Sequence, residues 1–292
     1  MNKSIIAIFI VALSLIHSMI FSETKLDYKG EASFENWIFP NDAASTNQTN
    51  TNNTVQLKAE ATLTSDFFSM RLEPRIKEDF SERSRGRLLL DEGWMGLTFS
   101  DFEFRVGFQQ FTWGMVESQK LVDILNQKDY EGDFFDPDKL ATLSARIIIS
   151  PIEKLDIELY YLAHFIKAKL PTTKGRYSLT NGLSNIQDKA IFGNKAEEWY
   201  PNVAARIFTT ISTFDIALSF FHGYNSFPTT DASFSKPYYY IMNQAGLEVT
   251  WVPGKPIFKL EAVYRNMRNS NNSSIPSILI PDPYLAYVAG VE

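Results

Sequence analysis

The chain has 292 residues, no cysteine, and 28 basic against 34 acidic side chains, a formal net charge of −6. The lack of cysteine excludes disulfides, thiolate metal sites and cysteine nucleophiles, and the acidic balance gives no footprint for nucleic acid. A secreted chain of this length without disulfides must be stabilised by extensive strand pairing or by a large core.

The first 22 residues have the pattern of a secretory signal peptide. Lys3 precedes a run over residues 5–21 that is apolar apart from Ser14, His17 and Ser18, and the small residue Ser22 follows that run. This pattern favours export with cleavage near Ser22, although about 17 apolar residues is also the lower limit for a membrane-spanning helix. The sequence therefore predicts a signal peptide over 1–22 and one mature unit over 23–292. Removal of Lys3 leaves 27 basic and 34 acidic residues, a mature charge of −7.

Apolar and polar residues alternate along most of the mature chain, which is typical of strands with one apolar face. The segment that follows the Ser100-Asp101 turn shows the pattern most clearly. Its apolar positions are Phe102, Phe104, Val106 and Phe108, and its other positions are Glu103, Arg105, Gly107 and Gln109. A helix would scatter these phenylalanines around its axis, so the pattern predicts a β-hairpin.

Tight and long connections alternate between the predicted strands. The tight ones lie near Ser65-Asp66, Ser100-Asp101, Ile152-Glu153-Lys154, Ser212-Thr213-Phe214 and Pro253-Gly254-Lys255. The long ones run over Asn41–Thr54, Ser81–Arg87, Met115–Lys139, Lys167–Glu197, Asn225–Lys236 and Asn269–Pro283. Outer-membrane barrels have short periplasmic turns and longer external loops, whereas a soluble sandwich has no reason to sort its loops by length.

These features predict an all-β fold, an antiparallel transmembrane β-barrel with about 12 strands present, in contact with outer-membrane lipid. Aromatic clusters at strand ends, such as Tyr238-Tyr239-Tyr240 and Trp251, favour the girdles that flank such barrels. The last predicted strand, in Tyr284–Glu292, still alternates where the sequence ends. Because unpaired edge strands are costly in lipid, we expect a piece of a longer barrel with further C-terminal strands.

With the apolar faces outward, the charged positions of the strands line the interior. The predicted pore-lining residues are Arg71, Glu73, Arg75, Lys77, Glu92, Glu103, Arg105, Arg146 and Arg206. Opposite charges on neighbouring strands can pair across the wall and stiffen it. Alternatively, arginines on one wall and carboxylates opposite set up a transverse field, since rings of charge determine pore selectivity. The cluster of Arg71, Arg75, Lys77 and Arg105 would then select anionic or carboxylated solutes.

The long connection Met115–Lys139 is the predicted constriction of the pore. Leu121, Ile124 and Leu125 are spaced for the face of a short helix, and many polar or acidic residues surround them. Asp123, Asn126 and Asp129 are the residues that we expect to narrow the passage. The carboxylates of this connection do not fit the twelve-residue calcium loop, so no metal site is predicted.

The sequence predicts no catalytic residue and no cofactor. After signal cleavage, His164 and His222 are the only histidines, and neither lies in a zinc or triad motif. Two other classes stay open. One is a soluble secreted or periplasmic β-protein that binds a partner or glycan, and the other is a barrel-embedded hydrolase. The oligomeric state cannot be predicted from these patterns.

The run Asn41–Thr54, NDAASTNQTNTNNT, is polar and of low complexity, and we expect a mobile external loop there.

One stretch also carries a family resemblance. It comprises Asp91-Glu92-Gly93-Trp94, Phe104-Arg105-Val106-Gly107, Trp113-Gly114, Asp123-Ile124-Leu125-Asn126 and Lys128-Asp129-Tyr130. The stretch resembles a family of porin-like bacterial outer-membrane barrels whose relatives include alginate-export-type porins. Gln127 stands where that pattern often has proline, and Gly93 stands where alanine is usual. The resemblance covers some forty-five residues, and it implies an outer-membrane barrel that passes or exports organic solutes.

Overall fold

A computed structural model describes residues 24–43, 48–81, 85–171, 175–176, 189–231, 236–268 and 275–292. The predicted signal peptide over 1–22 lies outside these residues. The described chain is all-β, since its regular elements are strands and short 3-10 turns, with no α-helix. In the described ranges, no helix is long and apolar enough to cross a membrane.

Twelve strands form one large antiparallel sheet, as predicted. They are β1 (Lys25–Ile38), β2 (Thr51–Thr64), β3 (Phe68–Asp79), β4 (Arg87–Thr98), β5 (Phe102–Gln109), β8 (Thr142–Ile152), β9 (Leu155–Leu162), β11 (Asn202–Ile211), β12 (Phe214–Tyr224), β15 (Ile241–Trp251), β16 (Phe258–Arg268) and β17 (Tyr284–Val291). Each strand pairs with the next of the twelve along the chain, from β1 at one end of the sheet to β17 at the other.

Five short strands lie in the long connections. They are β6 (Lys128–Asp129), β7 (Asp138–Lys139), β10 (Ile191–Phe192), β13 (Thr229–Thr230) and β14 (Pro237–Tyr239). β6 pairs with β7, and β14 lies between β10 and β13 in a three-stranded sheet. Both small sheets are built from long connections: β6 and β7 lie between β5 and β8, β10 lies between β9 and β11, and β13 and β14 lie between β12 and β15.

The predicted connections are confirmed in outline and wrong at one end of the first long connection. All five tight turns join neighbouring strands, and all lie at the same end of the strands, called the tight-turn edge below. The run Asn41–Thr54 is not wholly a loop, since Thr51–Thr54 form the start of β2 and pair with β1; residues 44–47 lie outside the described residues. Residues 51–54 are all polar and therefore show no alternation of apolar and polar positions, so their composition predicted a loop.

The two faces of the sheet have opposite character. Leu57 of β2, Leu72 of β3 and Leu218 of β12 are about half exposed and point outward. Glu248 and Glu261, on the other face, are completely buried. A soluble sheet would bury its leucines and expose its carboxylates. Because lumen-facing residues of membrane barrels are polar and lipid-facing residues apolar, the outer face is built for lipid.

Aromatic side chains mark the tight-turn border of the outer face. Phe214 and Trp251 stack with ring centroids 5.6 Å apart, and Trp251 and Phe258 stack at 5.2 Å. These rings occupy one register row of β12, β15 and β16. Tyr238–Tyr240, which were predicted to belong to such a border, do not lie on the outer face. Tyr239 is buried and packs with Phe165 on the side of the long connections.

The sheet is strongly curved. The backbone N–H of Gln110 donates to Glu92 on β4, and that of Gly114 donates to Glu248 on β15. β4 and β15 are six neighbours apart in the sheet, about 29 Å at the usual strand spacing. Four residues reach at most about 14 Å, and strand side chains stand roughly perpendicular to their sheet and add little sideways reach, so the sheet must curl for one segment to touch both strands. β1 and β17 each pair with one neighbour in the described sheet, and the expected further strands stay a prediction.

Candidate functional site

The concave face of β3 carries a row of charges that are nearly all paired. Glu73, Arg75 and Lys77 are more than nine-tenths buried. The Arg71 guanidinium lies 2.6 Å from Glu73 and 3.2 Å from Glu60 of β2. All four predicted residues of this strand thus point to the interior, because they occupy alternate positions of a strand whose other positions are apolar.

A β-bulge brings two consecutive carboxylates of β4 to the same face. Glu73 pairs with Glu92, whereas Pro74 pairs with Leu90, so Asp91 is the extra residue. Proline has no N–H for the ladder, which explains an irregularity at this position. As a result, Asp91 binds Arg75 at 2.8 Å while Glu92 accepts the Gln110 N–H at 3.0 Å. Simple alternation would have pointed one of the two carboxylates into lipid.

An arginine of β5 and an arginine of β8 share one carboxylate, that of Glu103 on β5. Arg105 lies 2.9 Å from Glu103, and Arg146 bonds the same carboxylate. The Arg105 guanidinium also lies over the Trp94 ring, 4.1 Å from its centroid. This part of the wall therefore carries one more positive charge than its own ion pairs neutralise.

Arg206 of β11 occupies the far wall, between two carboxylates. It lies 2.9 Å from Glu248 and 3.3 Å from Glu158. All nine predicted pore-lining residues therefore lie on the concave face. Of the two alternatives for these charges, the described residues show local pairing, since both signs alternate around the wall; arginines on one wall with carboxylates opposite are not found among them.

The connection between β5 and β8, residues 110–141, lies inside the curved sheet and is called the inner segment below. Its apolar side chains Phe111, Trp113, Val122, Ile124 and Leu125 are at most 5% exposed. They join a buried cluster with side chains of the far wall, namely Tyr160, Leu162, Ala204, Phe221, Val263 and Met267. The inner segment therefore fills the half of the interior next to β9–β16.

The predicted short helix in the inner segment is wrong. Residues 121–125 form bends and irregular backbone, with no helical turn. Leu121, Ile124 and Leu125 do share an apolar environment, as their spacing indicated. The wall supplies that environment, and hydrogen bonds to wall side chains replace those of a helix, which a local pattern could not reveal.

Asn126 ties the two ends of the inner segment together. Its Oδ1 accepts the Phe111 N–H at 2.6 Å, and its Nδ2 donates to the carbonyls of Gln109 and Leu140 at 2.9 Å each. Asn126 is 5% exposed. It was predicted to narrow the passage directly, and the structure places it within the base of the segment.

Asp123 and Asp129 have different surroundings. Asp123 lies 2.6 Å from Lys139 and borders a cavity. Burial lowers the pKa of the Lys139 ammonium, and Asp123 opposes that shift. Asp129 is buried, accepts the N–H groups of Glu131 and Gly132, and lies 3.3 Å from Arg87. Of the three predicted constriction residues, Asp123 alone faces open space.

Open space remains on the side of β2–β5. A cavity of about 310 Å³ is lined by Glu31, Gln56, Lys58, Arg71, Glu73, Arg75, Asp91, Glu92, Gln110, Asp138 and Lys139. A smaller one of about 110 Å³, called the narrow cavity below, shares Arg71, Glu92 and Gln110 with it and adds Trp94, Arg105, Gln109, Phe111 and Arg146. A third, of about 520 Å³, shares Lys139 and lies along the inner segment itself. The shared residues show that the three spaces adjoin.

The histidines lie away from these cavities. His222 is on the outward face of β12, where its ring nitrogens lie 2.8 Å from Tyr200 Oη and 2.7 Å from Asn243 Oδ1. His164 packs edge-on against Trp199. Neither ring has a serine partner among its described hydrogen bonds, and the described residues contain no cluster of three metal-ligating side chains.

Comparisons with known proteins give fold likenesses. No family model and no curated protein matches the chain. Pseudomonas aeruginosa OccK2 (OpdF) has 11% identity and a TM-score of 0.48, over 92% of this chain and 60% of that one. Salmonella typhi OmpF, solved in complex with daunomycin, has 10% and 0.40, over 84% and 67%. The Rh. blastica porin has 9% and 0.33, over 91% and 89%. The chain thus spans less than two thirds of the OccK2 chain.

The apolar outer face, the charged inner face and the enclosed segment define the class by themselves. The fold is a porin-like outer-membrane β-barrel wall, with its long connections on one side and its tight turns on the other.

Proposed function

We propose that this chain forms an outer-membrane channel for small hydrophilic or amphipathic solutes, with Met115–Lys139 as its constriction. The observation that carries the proposal is the division of the interior. The inner segment is packed against β9–β16, and adjoining polar cavities remain along β2–β5. A segment that served only to fill a core would leave no polar space on its second side.

The charge around the narrowest cavity favours anionic solutes. Arg71, Arg105 and Arg146 line it, against one carboxylate, Glu92. The larger neighbouring cavity is nearly balanced, with four basic and five acidic side chains. Because charges that line a pore determine its selectivity, we assign the preference to the excess of arginines in this smallest of the three cavities. The relation to alginate-export-type porins stays what the sequence resemblance implies, and no solute is named by it.

The mechanism is passive. Ions and solutes enter from the side of the long connections, move along the charged wall of β2–β5, and leave at the tight turns. The paired charges hold the wall side chains in place, while arginines that share a carboxylate keep spare N–H donors for a passing anion. No step requires a covalent intermediate.

Conductance across a planar bilayer tests the proposal. The refolded mature chain should give stepwise current increases, and the reversal potential in a salt gradient should indicate a preference for anions. A protein that inserts into bilayers, shows heat-modifiable migration, and carries no current would overturn the channel function while leaving the fold intact.

A further inference from the structure

Glu248 and Glu261 form an unusual pair on the far wall. They stand directly opposite each other on β15 and β16, and both are completely buried. Like charges in directly opposed positions destabilise a sheet, and a buried carboxylate is costly unless it is fully hydrogen-bonded. Local violations of this kind usually mark a site whose role lies beyond the sheet itself.

Glu261 is compensated by the backbone of the inner segment. Its Oε1 accepts the N–H groups of Met115 at 2.7 Å and Val116 at 2.8 Å, and its Oε2 accepts that of Val122 at 3.3 Å. In the described residues, Glu261 has no ion pair with a lysine or arginine. Its negative charge is thus held by backbone N–H groups of the inner segment.

Glu248 continues the same contact by one residue. Its Oε2 accepts the Gly114 N–H at 3.0 Å, and Arg206 donates to both of its oxygens. The N–H groups of three consecutive residues, 114 to 116, therefore point into two neighbouring carboxylates of the opposite wall. Two further contacts stand beside them, since Gln244 donates to the Val122 carbonyl at 3.0 Å and Arg265 donates to the Leu121 carbonyl at 2.9 Å.

Two glycines permit this close approach. Gly114 has a φ of +103°, and a Cβ there would lie 2.8 Å from Glu261 Oε1. Gly246 faces Val122, and a Cβ there would lie 3.0 Å from the Val122 Cγ1 and 2.4 Å from Ser219 Oγ. Any larger side chain at Gly114 would have to displace the carboxylate, so the turn and its acceptor fit each other.

We propose that Glu261, assisted by Glu248, is the positioning residue of the constriction: it holds the inner segment on the far wall and so determines the width of the passage along β2–β5. The inference rests on the proposed channel function. It goes beyond that function by assigning the width of the passage to a carboxylate that lines none of the three cavities described above, on β16, which is ten strands from β1 in the sheet.

The decisive variant is Glu261→Gln. The amide keeps the size of the side chain and one accepting oxygen, but its NH2 group would face the Val122 N–H, donor against donor. We expect a less firmly held segment, with a single-channel conductance that is altered and fluctuates between levels. A second readout does not depend on conduction. Trypsin cleavage after Lys120 or Lys128 in detergent-folded protein should become about tenfold faster or more, since a charge-assisted hydrogen bond changes an opening equilibrium by about that factor.

A designed disulfide separates displacement of the segment from other effects. The chain has no cysteine, and the 3.6 Å between the Val122 Cβ and a Cβ on Gly246 suits a disulfide. Val122→Cys with Gly246→Cys is combined with Ser219→Ala, because Ser219 Oγ would lie 2.4 Å from the new Cβ. In this background, oxidation should return Glu261→Gln to the steady conductance of the parent, and dithiothreitol should restore the fluctuation.

Asp215→Asn is the matched control, since it neutralises an inward carboxylate of the same wall that bonds Thr210 and not the inner segment. It should leave both cleavage and conductance as in the parent. If Glu261→Gln folds and matches the parent in both readouts, or if its conductance change persists in the oxidised disulfide background, the positioning role is overturned. A parent protein without conductance would instead refute the channel, while the cleavage rates would still decide whether Glu261 holds the segment.

Discussion

At the scale of single residues, the arginines of the narrow cavity give the first prediction. Arg71 and Arg105 both line it, on β3 and β5. Arg71→Gln with Arg105→Gln removes two positive charges there without placing new carboxylates beside Glu60 and Glu73. The reversal potential in a potassium chloride gradient should shift towards cations, because fewer fixed positive charges attract chloride. The control is Lys25→Gln with Lys255→Gln, two exposed lysines near the tight-turn edge.

An equal shift in the control pair would assign the preference to the overall charge of the protein and would contradict a role for the narrow cavity. The residue scale also shows how far sequence goes. Alternation along β3 and β5 correctly predicted the inward charges. It could not predict that Arg146 shares Glu103 with Arg105, or that a bulge at Pro74 turns both Asp91 and Glu92 inward, because both depend on the register between strands.

At the scale of elements, the inner segment gives the second prediction. Deletion of Gln119–Asp133 removes the buried side chains that fill the space beside β9–β16, among them Val122, Ile124 and Leu125. The conductance should rise, because the interior is then bounded by the sheet alone. The control is Phe135→Ala, which trims an exposed side chain of the same segment and should leave the conductance unchanged. A deletion variant that folds and conducts like the parent would contradict the constriction role.

The topology of the elements followed from the sequence better than the shape of the inner segment did. Alternating loop lengths predicted which edge of the sheet carries the tight turns, since hairpin turns are local. The inner segment was predicted to enter the pore, yet its helix was wrong, because its backbone donors are satisfied by Glu248 and Glu261, more than 130 residues away in sequence. No pattern within residues 115–139 carries information about those partners.

At the scale of the whole molecule, the outer face is the feature that separates a membrane barrel from a soluble β-protein. Leu218 lies in the middle of β12, in one register row with Ile207, Leu247 and Ala262. All four point outward, and Leu218 is 56% exposed. In water, an exposed leucine is easily replaced by a charged residue, whereas arginine at the midplane of a bilayer costs about 2–4 kcal/mol.

The third prediction is therefore that Leu218→Arg lowers the free energy of unfolding in liposomes by about 2–4 kcal/mol, measured by urea titration of tryptophan fluorescence. Val252→Arg, in the turn that follows Trp251, is the matched control. It lies beyond the aromatic row of Phe214, Trp251 and Phe258, where the headgroups begin, and its cost should be about 0–1 kcal/mol. Depth within the bilayer distinguishes the two positions, since both side chains are exposed. Equal, near-zero costs at the two positions, or a Leu218→Arg protein that becomes more soluble without detergent, would show that the outer face meets water and would favour the soluble β-protein instead.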